Sequence, residues 1–317
     1  MNQRNGFPEQ KEGRFYLTEG GIETEIMYKY GFELPQFAMF TLLDNPAAVK
    51  VMRGMFQRYL DVVAEHRMCA LMSGMDYRAS PDWAELVGYS SAGLHEVILA
   101  NISFLREIAV EYRDDIEEVL IAGVLGPRGD AYARNEAITE SQAADYHSLQ
   151  LEALMEAGAD IAIATTFNNV PESIGVSRAA AAAGIPLGIS LSLDSSSTLN
   201  SGPRLSDAIR IIDAETECSP QFYAVNCSHP LEIEPALDPG SWLDRVRGVR
   251  PNAALMDKVA LCSLGHLEDG DPIELGAQIG DMARRYPHMD IWGGCCGTCE
   301  VHLDEIAKNL RSAHPGQ

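Results

Sequence analysis

The chain has 317 residues, 46% of them hydrophobic and 22% charged, which places it among globular proteins with material for a large core. Its 46 acidic against 24 basic side chains give a formal charge of -22, which repels nucleic-acid phosphates and anionic lipid surfaces, so neither is an expected partner. Met1 to Arg14 is polar, no apolar run reaches the length of a bilayer span, and seven cysteines are too few and odd in number for a disulfide scaffold, so a cytoplasmic protein with reduced thiols is expected.

Read from the start, short β-rich apolar segments alternate with helical ones. Arg14–Thr18 is the first predicted strand, and the helix Pro46–Glu65 leads to the second at Met68–Ser73. Ser90–Tyr112 is helical, Val119–Leu125 is strand, Thr139–Ala157 is helical, and Asp160–Thr165 is strand. Helix Pro171–Ala183 precedes strand Pro186–Leu193, and helix Leu205–Ile212 precedes strand Phe222–Asn226. Ser241–Val246 is predicted helical, Gly248–Asn252 strand, Pro272–Arg285 helical, Met289–Gly293 strand, and His302–Leu310 closes the chain as a helix. Eight such units match a (β/α)8 TIM barrel, an α/β fold of typically about 250 residues, with extra length in the loops. A doubly wound open sheet is the alternative.

The barrel is favoured because the unusual residues follow the predicted strands: Glu19-Gly20-Gly21, Asp76-Tyr77, Gly126-Pro127, Thr165-Thr166, Asp194, Asn226-Cys227 and Cys295-Cys296. In a barrel those strand ends share the catalytic face. No internal repeat or linker is visible. The simplest division is a tail over 1–13 and one barrel domain over 14–311.

The chemistry concentrates in Gly293-Gly294-Cys295-Cys296-Gly297-Thr298 and Asn226-Cys227. Two adjacent thiols in a glycine-rich turn, with a third from another strand, can seat zinc and leave its fourth position open. Cys227 and Cys295 lie 68 residues apart, about two βα units, which puts them on strands six and eight. Glycines at 293, 294 and 297 let the chain turn so that two consecutive side chains face one ion. The alternative is that these cysteines are small buried hydrophobes. Cys299 is a rival ligand that would close a four-thiolate structural site, and His229 is another; each has a plainer reading, as the start of the last helix and as a loop hydrogen-bonding group. Cys69, Cys218 and Cys262 read as packing residues, and His95, His147 and Trp83 as residues without a role.

These motifs resemble the signature of the homocysteine S-methyltransferase family, over about Arg14 to Leu310. Thr18-Glu19-Gly20-Gly21-Ile22-Glu23-Thr24-Glu25 is similar to the family's Asp-Gly-Gly turn, Tyr77-Arg78-Ala79-Ser80 to its Tyr-Gln-Ala-Ser segment, and Gly126-Pro127 and Gly158-Ala159-Asp160 to segments around strands three and four. The resemblance implies a zinc-containing barrel in which Cys227, Cys295 and Cys296 hold Zn2+ and the acceptor thiol becomes the fourth ligand. The partners implied are a small-molecule thiol acceptor and a methyl donor, in a protein that often self-associates. Glu19, Gly20, Gly21, Tyr77, Thr165 and Asn226 are the substrate-binding candidates, Glu19 with the two glycine amides holding an amino-acid acceptor.

One departure matters. The family's strand four ends in Glu-Thr, whose glutamate helps bind the amino group of homocysteine, and this chain has Thr165-Thr166. A carboxylate–ammonium bond is worth about 1.5 to 3 kcal/mol, more than a hydroxyl offers, so the expected acceptor is homocysteine or a related small thiol, either an amino acid held by Glu19 and the Gly20 and Gly21 amides or a thiol with no amine at all. A chain ending at Gln317 has no room for folate or corrinoid modules, which points to a free donor such as S-methylmethionine, S-adenosylmethionine or a betaine. The competing readings are hydrolysis by zinc-bound water, which needs Glu19, Asp76 or His229 as base, and a structural zinc closed by Cys299.

Overall fold

A computed structural model describes residues 6–132 and 138–313, the side chains of 262 and 263 excepted. Eight parallel strands close into a barrel in sequence order: β1 Tyr16–Leu17, β2 Cys69–Ser73, β3 Val119–Leu125, β4 Ile161–Phe167, β5 Leu187–Leu191, β6 Phe222–Asn226, β7 Val246–Arg250 and β8 Ile291–Trp292. β1 pairs with both β2 and β8, Tyr16 lying opposite Cys69 on one side and Ile291 on the other, which settles barrel against open sheet. Strands β2, β4, β5 and β6 are buried at every position, as expected of strands covered on both faces.

Helices pack outside. The long ones are α2 Pro46–Glu65, α4 Ser91–Glu111, α5 Glu140–Ala157, α6 Val170–Ala183, α7 Leu205–Thr216, α10 Pro272–Arg285 and α11 Glu300–Ala313. Their ends are written in the sequence. Asn45 caps α2 by accepting from the Ala47 and Ala48 amides, with Pro46 at the first turn. Thr139 and Gln142 form a capping box at the start of α5, and Gly158, at φ 88°, ends it in the left-handed conformation. Short helices α1 Ile22–Tyr28, α3 Pro81–Leu86, α8 Pro230–Ile233 and α9 Lys258–Ser263 lie in the connections. The strand ends and the connections that follow them build the catalytic face.

Two expectations change. Ser241–Arg245 is a 3-10 turn, and β7 begins at Val246, two residues before the predicted Gly248. The cause is Arg247, which alternation reads as a solvent residue; here it is buried in the barrel base against Asp290, Nε to Oδ1 at 2.9 Å. The tail also takes part in the barrel. Phe7 plugs the base between Tyr16 and Phe222, its ring 5.0 Å and 4.9 Å from theirs, and Arg247 lies over it while donating to the Pro8 carbonyl. No helix among the described residues is long and apolar enough to cross a membrane.

Candidate metal and substrate site

At the C-terminal ends of the strands, one pocket is lined by Glu19, Gly20, Gly21, Tyr77, Thr165, Asn226, Cys227, Cys295 and Cys296, together with Glu23, Phe37, Tyr132 and Arg250. All nine sequence candidates therefore face one space. The sulfurs of Cys227, Cys295 and Cys296 lie within 4.8 Å of one another, the only such group among the described residues. Those of Cys227 and Cys295 are in contact, with Cα atoms 5.6 Å apart.

Backbone geometry produces this convergence. Cys227 follows β6 at φ 52°, a left-handed conformation that turns its side chain across the barrel mouth. The turn carrying Cys295 and Cys296 is tied to the segment that follows β7: the Cys295 amide donates to the Pro251 carbonyl at 2.7 Å, and the Ala253 amide to the Cys296 carbonyl at 3.0 Å. Gly297 closes it at φ 84°. On the other side Gly21 passes so close that a Cβ there would lie 2.5 Å from the Cys295 carbonyl oxygen. The Gly21 amide donates to the Thr298 carbonyl at 3.0 Å, so it braces the cysteine turn instead of waiting for a ligand.

Asn226 is the brace of the opposite wall. Its Oδ1 accepts from the Thr166 amide at 3.0 Å and the Ser190 hydroxyl at 2.7 Å; its Nδ2 donates to the Thr166 hydroxyl at 2.9 Å and reaches the Cys295 sulfur at 3.9 Å. Thr166 sits at φ 62°, rare for a β-branched residue, and these bonds hold it there. Thr165 lines the pocket with its hydroxyl turned to its own strand, at 3.4 Å from the Ile163 carbonyl.

Glu19 is buried, and both of its oxygens are engaged. One accepts from the Ser73 amide at 2.9 Å and the other from Arg250 Nη2. Arg250 also donates from Nε to the Gly294 carbonyl at 3.2 Å. Sequence reasoning missed this guanidinium, although its position at the last residue of a strand is the signal that flagged the others. Phe37 was also missed, because nothing in a local pattern announces that residues 36 and 37 both adopt positive φ, 54° and 61°, and swing the ring over the pocket.

The rivals are placed elsewhere. Cys299 begins α11 with its sulfur 3.6 Å from His302 Nδ1, outside the three-thiol group. His229 caps α8, its Nδ1 accepting from the Leu231 amide at 3.4 Å, and burial lowers its pKa. Asp76 lies behind the wall, fully buried, accepting from the Val124 amide at 3.1 Å. Cys69 is buried as expected, Cys218 is exposed and so is not a packing residue, and the side chain of Cys262 lies outside the described residues. His147, expected to lack a role, is fully buried against Glu172 at 3.0 Å in the contact between α5 and α6.

The three thiols fit zinc. Zinc takes thiolate ligands, Cys227, Cys295 and Cys296 would supply three of them, and the pocket side of the group carries no fourth protein sulfur among the described residues. A second cavity of about 140 Å³, lined by Met27, Tyr28 and Leu267 among others, meets the first at Phe37, Tyr132 and Cys296.

A closed parallel barrel with three converging thiols on its catalytic face defines a class of thiol-centred barrel enzymes. The chain belongs to the homocysteine S-methyltransferase family, which it matches over residues 16–310, and is a methyltransferase. Among solved structures it is similar to the homocysteine methyltransferase MmuM from Escherichia coli. The metallated form shares 19% identity at a TM-score of 0.72, with 93% of this chain and 96% of that chain covered. The oxidised form shares 20% at 0.72, covering 93% and 95%. The apo form shares 20% at 0.67, again covering 93% and 95%. At these identities the likeness concerns the fold.

Proposed function

We propose that this methyltransferase is zinc-dependent, with Cys227, Cys295 and Cys296 as metal ligands, and that it moves a methyl group from a small-molecule donor to the thiol of homocysteine or a related small thiol. The observation that carries the reading is the convergence of three thiols from two strand ends on a pocket with room at the fourth corner. Bound zinc supplies the charge that brings an acceptor thiol, ordinarily of pKa about 8.5, to its anion at neutral pH. The thiol proton goes to solvent, the acceptor sulfur forms a bond to the methyl carbon, and the donor leaves with the electron pair of the broken bond as a neutral thioether or amine.

The chain's own groups hold that geometry. Asn226 fixes Cys295 through its amide and the β4 end through Thr166. Glu19 acts through Arg250, whose guanidinium pins the carbonyl of Gly294 beside the cysteine pair. Tyr77 and Phe37, 6.4 Å apart and edge to face, wall the acceptor space from water. The second cavity offers the donor an approach past Cys296. The test is to offer zinc-loaded protein homocysteine with S-methylmethionine, S-adenosylmethionine and betaine in turn. Methylated homocysteine from one pairing is expected; no methylated thiol from any pairing overturns the reading.

A further inference from the structure

Three carboxylate or guanidinium side chains line the pocket: Glu19, Glu23 and Arg250. Glu19 and Arg250 neutralise each other, and the remaining hydrogen bonds described for them go to Ser73 and the Gly294 and Glu19 carbonyls. Glu23 stands apart. It lies in the first turn of α1 and, apart from its own backbone amide, has no hydrogen-bonding or ion-pair partner among the described residues. Arg250 attracts it only at a distance and Glu19 repels it, while burial raises its carboxyl pKa above the ordinary value. A carboxylate in a cavity without a counter-charge is costly unless the ligand brings one. Among these three side chains one negative charge is left unbalanced, and β4 contributes no carboxylate, because Thr165 and Thr166 stand where it meets the pocket.

Resting on the methyl-transfer reading above, we propose that Glu23 receives the ammonium group of an amino-acid thiol acceptor and so selects an aminated acceptor. Its direction favours the acceptor over the donor. Glu23 faces the space that holds all three cysteines, whereas Thr24, Met27 and Tyr28 of the same helix face the second cavity. Tyr77, which feels the charges of both Glu23 and Cys296, stands near both ends of such a ligand.

The experiment compares L-homocysteine with 4-mercaptobutyrate, the same thiol without the amine, by calorimetric titration of zinc-loaded wild type and Glu23→Gln. Wild type is expected to prefer homocysteine. The substitution is expected to weaken homocysteine by about tenfold to a hundredfold, the loss of one charge-assisted bond, and to leave 4-mercaptobutyrate unchanged. Undiminished 4-mercaptobutyrate binding shows that the variant is folded and metallated. Equal wild-type affinity for both thiols overturns the role of Glu23 while leaving thiol methylation standing; failure of wild type to bind either thiol overturns the methylation reading itself. If E23Q binds homocysteine normally but raises KM for a cationic donor, the carboxylate serves the donor and the inference is wrong.

Discussion

Arg250 Nη2 lies against Glu19 Oε1 at the mouth of the barrel, joining the end of β7 to the turn after β1, both side chains nearly closed to solvent. Removing one partner strands the other as a buried, unpaired charge, which costs about 3 to 5 kcal/mol, whereas removing both costs less. Arg250→Met should therefore destabilise the protein more than the double variant Glu19→Gln/Arg250→Met. Urea unfolding of the four proteins in the cycle measures this. Additive losses would show that the pair is not coupled.

Asn226 makes its bonds at a fully buried position. Asn226→Ala should lower zinc affinity about 10- to 100-fold, the usual cost of losing a group that orients a metal ligand, and destabilise the fold by about 1 to 3 kcal/mol. Competition with a chromophoric chelator reads the first effect and denaturant melts the second. Unaltered zinc affinity would remove Asn226 from any role at the cysteines.

Burial pushes the Asp76 carboxyl from an ordinary 3.8 up to about 7, and its Oδ2 has no described partner. The fold favours the protonated form, so this contribution to stability is complete below about pH 4 and is lost as pH rises towards 7, at about 1.4 kcal/mol per pH unit at most. Asp76→Asn, neutral throughout, should match wild type near pH 4 and exceed it in stability by about 1 to 4 kcal/mol at pH 8. Urea midpoints across this range test it; parallel pH curves would contradict it.

Cys227 and Cys295 are close enough at their Cα atoms, 5.6 Å, for a disulfide. Treating metal-free protein with a dithiol oxidant should join this pair, abolish zinc uptake, and be reversed by reductant. Peptide mapping identifies the pair. Loaded zinc should protect both thiols, and oxidation at an equal rate with metal present would speak against thiolate ligation by them.

Much of this was legible before any coordinates. The bounds of α2, α10, β3 and β6 coincide with those read from the sequence, because Asn45-Pro46 and Asp271-Pro272 announce helix starts and β-branched runs mark the strands. The pocket wall was legible because barrel topology brings strand ends together whatever their separation along the chain. Burial of charge was hidden. Arg247 inside the base shifted β7, Arg250 took the carboxylate of Glu19 from the ligand, and Glu23 was left without a counter-charge among the described residues; each depends on contacts between distant segments that no local pattern records.

The most direct test of the central claim is X-ray absorption at the zinc edge of purified protein, before and after adding homocysteine. The account predicts one zinc per chain with three sulfur neighbours and one lighter atom, becoming four sulfurs when the thiol is added, with metal lost from Cys227→Ser, Cys295→Ser and Cys296→Ser but kept by Cys299→Ser. Four sulfurs in the absence of added thiol, or full zinc retention in Cys227→Ser, would contradict it.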